Sequence, residues 1–165
     1  MINHEQEFVA LINQHQKLIH KVCYLYLNDM NDREDLFQEI TLQVWKSMSS
    51  FKGESKFSTW LYRIALNTAI TFYRKERKSI IVLTEVLPDK AEETNIAEEQ
   101  LKELHYAIGQ LSKIEKALVM LYLENCSYNE IAEVLGITAN NVAVKMSRIK
   151  TKLKELSKQN AGSKI

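Results

Sequence analysis

Ser127-Tyr-Asn-Glu130-Ile-Ala-Glu-Val-Leu-Gly136-Ile-Thr138-Ala-Asn-Asn-Val142-Ala-Val-Lys-Met146-Ser-Arg148-Ile149 reads as a helix, a tight turn and a second helix. Ser127 is a helix N-cap, and Glu130 three residues on completes a capping box. Ile131, Val134 and Leu135 give the first helix one apolar face. Gly136 follows as a C-terminal stop, because a left-handed backbone costs glycine little. Thr138 is the next N-cap candidate. This is the layout of a helix-turn-helix that places its second helix in the major groove.

The second helix divides into two faces. Val142, Met146, Ile149, Leu153 and Leu156 step by fours and threes and form the stripe that must be buried. Asn141, Val144, Lys145, Arg148 and Lys152 lie largely opposite. Amides and cations on one face suit base edges and phosphates. An amphipathic hairpin with a solvated basic face would show the same pattern, so this stretch alone is not decisive.

Charge along the chain narrows the choice. The net charge of +1 hides three blocks. Residues 51–78 hold seven Lys/Arg against Glu54 and Glu76. Residues 79–105 hold seven acids against Lys90 and Lys102. Residues 138–165 hold seven Lys/Arg against Glu155 alone. Two basic blocks flanking an acidic one predict two contacts with one polyanion.

The 165 residues fit one domain or two small ones. Glycine and proline are scarce and apolar residues recur at helical spacing, which predicts an all-α fold. The expected organisation is two small helical domains joined by a linker. The first spans 1–78, an acidic linker spans 79–95, and the helix-turn-helix domain spans 96–165. Within the first, residues 5–27 read as one broken helix or two. Asp32 is the expected cap of a helix over 33–49, whose stripe is Leu36, Ile40, Val44 and Met48. Phe51 to Phe57 is a loop around Gly53, and Ser58 is the expected cap of the long helix that follows. Ser112 and Glu115 form a second capping box ahead of Ala117–Leu123. The run Ile80–Leu83 is a stray strand or a packed apolar segment.

Apolar content is 45% and charged content 26%, as in soluble globular proteins, and no run approaches a membrane span. The polar, acidic N-terminus is not a signal peptide, and a cytoplasmic location is expected. Cys23 and Cys126 lie far apart in apolar settings and read as reduced core thiols. Four scattered histidines complete no zinc or other metal spacing. No cofactor, metal or catalytic residue is expected, because no phosphate loop, HExxH, CxxC or GxSxG occurs.

Two further blocks carry a resemblance. They are Asp32-Arg-Glu-Asp35-Leu-Phe-Gln38-Glu39-Ile-Thr-Leu-Gln-Val-Trp45 and Phe51-Lys-Gly53-Glu-Ser55-Lys-Phe57-Ser-Thr-Trp60-Leu-Tyr62-Arg63-Ile64-Ala65-Leu-Asn67. Together with the C-terminal helix-turn-helix, over about residues 5–158, the chain resembles a bacterial RNA polymerase sigma factor of the extracytoplasmic-function (ECF) type. The resemblance implies a subunit that binds core RNA polymerase, directs it to promoters and helps melt the −10 element. It also implies an anti-sigma partner, which the sequence does not identify.

The resemblance assigns roles to residues. The helix carrying Asp35, Leu36, Gln38, Glu39 and Gln43 would dock on the polymerase. Phe51, Lys52, Gly53, Ser55, Lys56, Trp60, Arg63, Asn67 and Arg74 would meet the −10 DNA. Rings that stack on bases and cations that track phosphates are what single strands require. Trp60 also has the spacing of a core residue. Asn67 is the position the resemblance offers as reader of an extruded base, since an amide both donates and accepts. Thr138, Asn140, Asn141, Val144, Lys145, Arg148 and Lys152 would meet the −35 duplex. Here the chain departs from the usual family pattern: Ala143 and Val144 stand where a cation and a hydroxyl are usual. Val144 lies about 200° round the helix from Val142, where an apolar side chain suits a thymine methyl. A free-standing helix-turn-helix regulator is the competing reading, and it would need neither the docking helix nor the aromatic loop.

Overall fold

The structure is a computed structural model and describes residues 3–76 and 96–162, with side chains over 3–72 and 97–158. The chain divides into two units, Met1–Leu83 and Thr84–Ile165. The expected linker 79–95, with its apolar run Ile80–Leu83, lies outside the described residues. These form helices without a strand, and the all-α expectation holds.

The first unit is three mutually packed helices, α1 (His4–Tyr26), α2 (Met30–Ser47) and α3 (Phe57–Glu76). Helix α1 runs unbroken, which corrects the expected break. Its buried residues Ile12, Ile19, Val22, Cys23 and Tyr26 keep one stripe along the whole length. Helix α2 begins three residues before the expected start. Asp29 is its cap, accepting the amides of Asn31 and Asp32 at 2.8 and 3.1 Å. Asp32 instead occupies the first turn, where a carboxylate still favours the helix N-terminus. Leu36, Ile40 and Val44 are fully buried. Met48 falls in a 3-10 turn, Met48–Ser50, past the end of α2.

Helix α3 starts at Phe57, so Ser58 lies in its first turn and is not the cap. The Lys56 carbonyl accepts the Trp60 amide at 3.1 Å. Leu61, Tyr62, Ala65, Leu66 and Ala69 face the core. The two alanines leave room for close approach of the neighbouring helices.

The second unit holds α4 (Ile96–Gly109), α5 (Lys113–Leu123), α6 (Tyr128–Leu135) and α7 (Ala139–Gly162). Helices α4, α5 and α6 all pack on α7. Leu118, Leu121, Ile131, Val142 and Ile149 are fully buried, with Met146 beside them. Each such side chain contributes roughly 1.5–3 kcal/mol of burial. Asn125, just past α5, has φ +61°, a conformation Asn tolerates better than most residues.

Candidate nucleic-acid interface

The turn between α6 and α7 is built as its residues predict. Ser127 Oγ accepts the Glu130 amide at 3.1 Å, and Glu130 Oε1 accepts the Ser127 amide at 3.4 Å. Gly136 has φ +70° and donates its amide to the Ala132 carbonyl at 2.8 Å. Thr138 Oγ1 accepts the Asn141 amide at 3.1 Å, which fixes the first turn of α7. Thr138 is thereby a cap first, with its side chain still exposed.

Helix α7 presents what its sequence proposes, with one exception. Asn140, Asn141, Val144 and Arg148 are exposed, and Lys145 is half-buried at the flank. Val144 is 43% exposed, apart from the stripe of Val142, Met146 and Ile149, which is buried; Leu153 and Leu156, expected to continue that stripe, are only half-buried. Lys152 is the exception. Its Nζ donates to Glu115 Oε1 of α5 at 3.1 Å, so this cation is engaged within the unit. Lys150 also turns toward α5, 4.8 Å over the Tyr122 ring.

In the first unit, Phe51, Phe57 and Trp60 form a closed triangle. Ring centroids stand 5.1 Å apart for Phe51–Trp60, 5.5 Å for Phe57–Trp60 and 5.5 Å for Phe51–Phe57. His15 of α1 packs on Phe57 at 4.9 Å while its Nδ1 bonds the Leu11 carbonyl at 3.0 Å. The cluster closes the base of loop 51–56, whose reversal uses Gly53 at φ +74°. Lys52, Gly53 and Lys56 are exposed and Ser55 is half-buried. Trp60, Arg63, Asn67 and Thr71 follow one line along α3, opposite its core face, and Arg63 and Asn67 are exposed. Arg74 continues that line on the helix backbone; its side chain lies outside the described residues.

The expected docking helix is corrected at one residue. Asp35 and Gln38 are exposed, and Glu39 and Gln43 are half-buried and bonded to each other at 3.0 Å. Leu36 is fully buried and belongs to the core, so it offers no surface to a partner. Beside Gln38 lies an apolar groove between α1 and α2, lined by Phe8, Phe37, Thr41, Leu42 and Trp45. Phe8 and Trp45 meet edge to face at 4.9 Å. Sequence reading missed this groove. Its signal was a second stripe on α2, Phe37, Thr41 and Trp45 at spacing four, beside the core stripe.

Cys23 is buried, and burial pushes its thiol up to about 11, against a smaller opposing pull from Arg33. The Arg33 guanidinium lies 3.8 Å over the Tyr24 ring and donates to the Leu27 carbonyl at 2.7 Å, tying α2 to the end of α1. Among the described residues, no cluster of His, Cys, Asp and Glu is arranged for a metal ion. None of the helices there is long and apolar enough to cross a membrane.

The described residues thus form a three-helix unit with an aromatic-buttressed loop carrying exposed lysines and a second unit that contains a helix-turn-helix. The family model described as Sigma-70 region 2 matches residues 11–79, and that described as Sigma-70, region 4 matches 101–153. RNA polymerase sigma factor SigZ of Bacillus subtilis (strain 168) is 33% identical over 133 residues, 79% of this chain and 75% of the relative. ECF RNA polymerase sigma factor SigW of the same organism is 28% identical over 165 residues, 87% of this chain and 85% of the relative. The co-crystal structure of sigma factor RpoE with anti-sigma factor NepR from Bartonella quintana has a TM-score of 0.72 at 19% identity, covering 93% of this chain and 98% of that one. That structure supports the fold. The chain belongs to the sigma-70 family, as an ECF-type sigma factor, and is a promoter-specific transcription initiation factor.

Proposed function

We propose that the two units divide the work of initiation, acting by binding and not by catalysis. The second unit reads the −35 duplex through α7. Asn141 and Val144 carry base preference there, while Lys145 and Arg148 hold phosphates and Thr138 and Asn140 border the groove. The first unit docks on core RNA polymerase through the Asp35, Gln38, Glu39 and Gln43 face of α2 and the apolar groove beside it. It then takes the −10 strand with loop 51–56 and α3. In that division Lys52, Lys56, Arg63 and Arg74 track phosphates, and Asn67 reads a base taken out of the stack. Extrusion costs a few kcal/mol, on that order, which capture in a pocket offsets. Phe51, Phe57 and Trp60 serve chiefly by shaping the loop. Residues 79–95 link the units, and an anti-sigma protein, acting in the cytoplasm, restrains the whole.

The observation that carries this reading is the line Trp60, Arg63, Asn67 on α3 beside an aromatic-buttressed cationic loop. A free-standing duplex-binding regulator has no use for it. The test is transcription in vitro with purified core RNA polymerase, with start sites mapped. Starts at a fixed distance from a shared pair of elements support the reading. Retention of duplex binding with no core polymerase captured in a pull-down would favour the free-standing regulator.

A further inference from the structure

Glu115 holds two groups with one oxygen. Its Oε1 accepts the Ser112 amide at 2.9 Å and the Lys152 ammonium at 3.1 Å. Its own amide donates to Ser112 Oγ at 3.2 Å, completing the capping box of α5. Burial alone would raise this carboxyl. The Ser112 amide, the Lys152 ammonium and the Ser112 hydroxyl outweigh that and hold it below its usual range. The carboxylate is therefore anchored by the cap before Lys152 arrives, so the pair orders little beyond the lysine.

The lysine it holds lies on the face of α7 that the proposed function gives to DNA. On helical geometry, Asn141, Lys145, Arg148 and Lys152 fall within roughly 60° of one another. Three of these four are cations, and together they form the stripe expected to meet phosphates. Lys152 lies one turn beyond Arg148, about 6 Å along the axis.

We propose that Glu115 withholds Lys152 from the DNA backbone, so that α7 makes one phosphate contact fewer than its charges allow. Phosphate contacts raise affinity for every sequence alike, whereas base contacts discriminate. Giving one cation an internal partner therefore lowers sequence-independent binding and leaves the base-reading residues untouched. The anchored carboxylate also repels an approaching phosphate. A half-exposed pair of this kind is weak, at most a few-fold in an equilibrium constant, so Glu115 tunes affinity without abolishing it.

The inference rests on reading α7 as the DNA-binding helix, and the experiment separates the two. The full-length chain is titrated with a fluorescent mixed-sequence DNA duplex at several salt concentrations. Glu115→Gln keeps an acceptor for the Ser112 amide, since Gln serves in a capping box, and thermal melting checks that the fold is retained. It should bind about two- to fivefold tighter at low salt, and the slope of log K against log salt should steepen by roughly 0.9. Both gains should vanish in the double variant Glu115→Gln with Lys152→Ala. Unchanged or weaker binding by Glu115→Gln would overturn the proposal, as would a gain that survives loss of Lys152. Arg148→Ala is the control for the underlying reading. If it leaves the salt slope unchanged, α7 is not the DNA-binding helix; if it flattens the slope while Glu115→Gln does nothing, only the inference about Glu115 falls.

Discussion

The indole of Trp60 and the ring of Phe51 stand 5.1 Å apart at 49°, with Phe57 closing the triangle. Rings committed to one another have less face to offer a base. Trp60 is half-buried by this packing, while Asn67, on the same line of α3, is exposed. The two residues should therefore fail in different ways.

Asn67→Ala should leave the melting temperature unchanged and lower open-complex formation on duplex promoters. The loss should be roughly 1–3 kcal/mol, that of one base contact, and preference should relax at a single −10 position. Trp60→Ala should instead cost about 2 kcal/mol of stability, less than a fully buried aromatic, and weaken all −10 sequences together. A promoter library with a bank of thermal melts reads both. Wild-type activity and preference in Asn67→Ala would make Asn67 structural.

The docking helix separates in the same manner. Gln38→Ala with Glu39→Lys changes the polar face of α2 and should weaken core polymerase binding, at a cost in stability of only about 0.5 kcal/mol for the lost Glu39–Gln43 bond. Leu36→Ala empties a fully buried site and should cost about 2–5 kcal/mol of stability. Any loss of polymerase binding in that variant should track its unfolded fraction. Unchanged affinity for core polymerase in the folded double variant would move the interface elsewhere.

Local chemistry explains why some of this was legible before the structure. Ser127 with Glu130, Gly136 and Thr138 act within three or four residues of themselves, so their bonds are readable from spacing. The stripes Leu36–Ile40–Val44 and Val142–Met146–Ile149 are likewise periodic. The cap of α2 was not decidable in this way, because Asp29 and Asp32 have the same side chain and only the path of the chain after Leu27 selects between them. The resemblance supplied the role of Leu36, but a family motif does not distinguish a core residue from a contact. The Lys152–Glu115 pair joins positions 37 apart, and the Phe8–Trp45 contact joins α1 to α2. Neither has a local signature, since both depend on how helices pack.

Cys23 makes stability fall on the alkaline side. Burial raises its thiol from 9.0 to about 11, so the unfolded chain loses that proton first. Stability from this group should be complete below pH 9 and be lost as pH rises from 9 toward 11. Tyr26, also raised by burial, acts in the same direction at higher pH. Urea unfolding should therefore show a lower midpoint at pH 10.5 than at pH 8 (about those values, chosen to bracket the window). Cys23→Ala should show a shallower decline. Equal declines in the two proteins would show that Cys23 is not the group responsible.

The reading helix offers the sharpest test of where base preference resides. Arg148 is exposed on the cationic stripe, and Val144 is exposed beside it without a polar atom to offer. Arg148→Ala should weaken binding to all −35 sequences about equally and flatten the salt dependence by about one unit of slope. Val144→Ser removes an apolar partner for a thymine methyl and adds a hydroxyl that pairs with several bases. It should leave the salt slope unchanged and relax preference at one A·T position. The pair is compared on a randomised −35 library at two salt concentrations, because only the phosphate effect is salt-dependent. If Val144→Ser kept every base preference of the wild type, α7 would meet DNA through a different face, and the departure at Val144 would have no part in promoter choice.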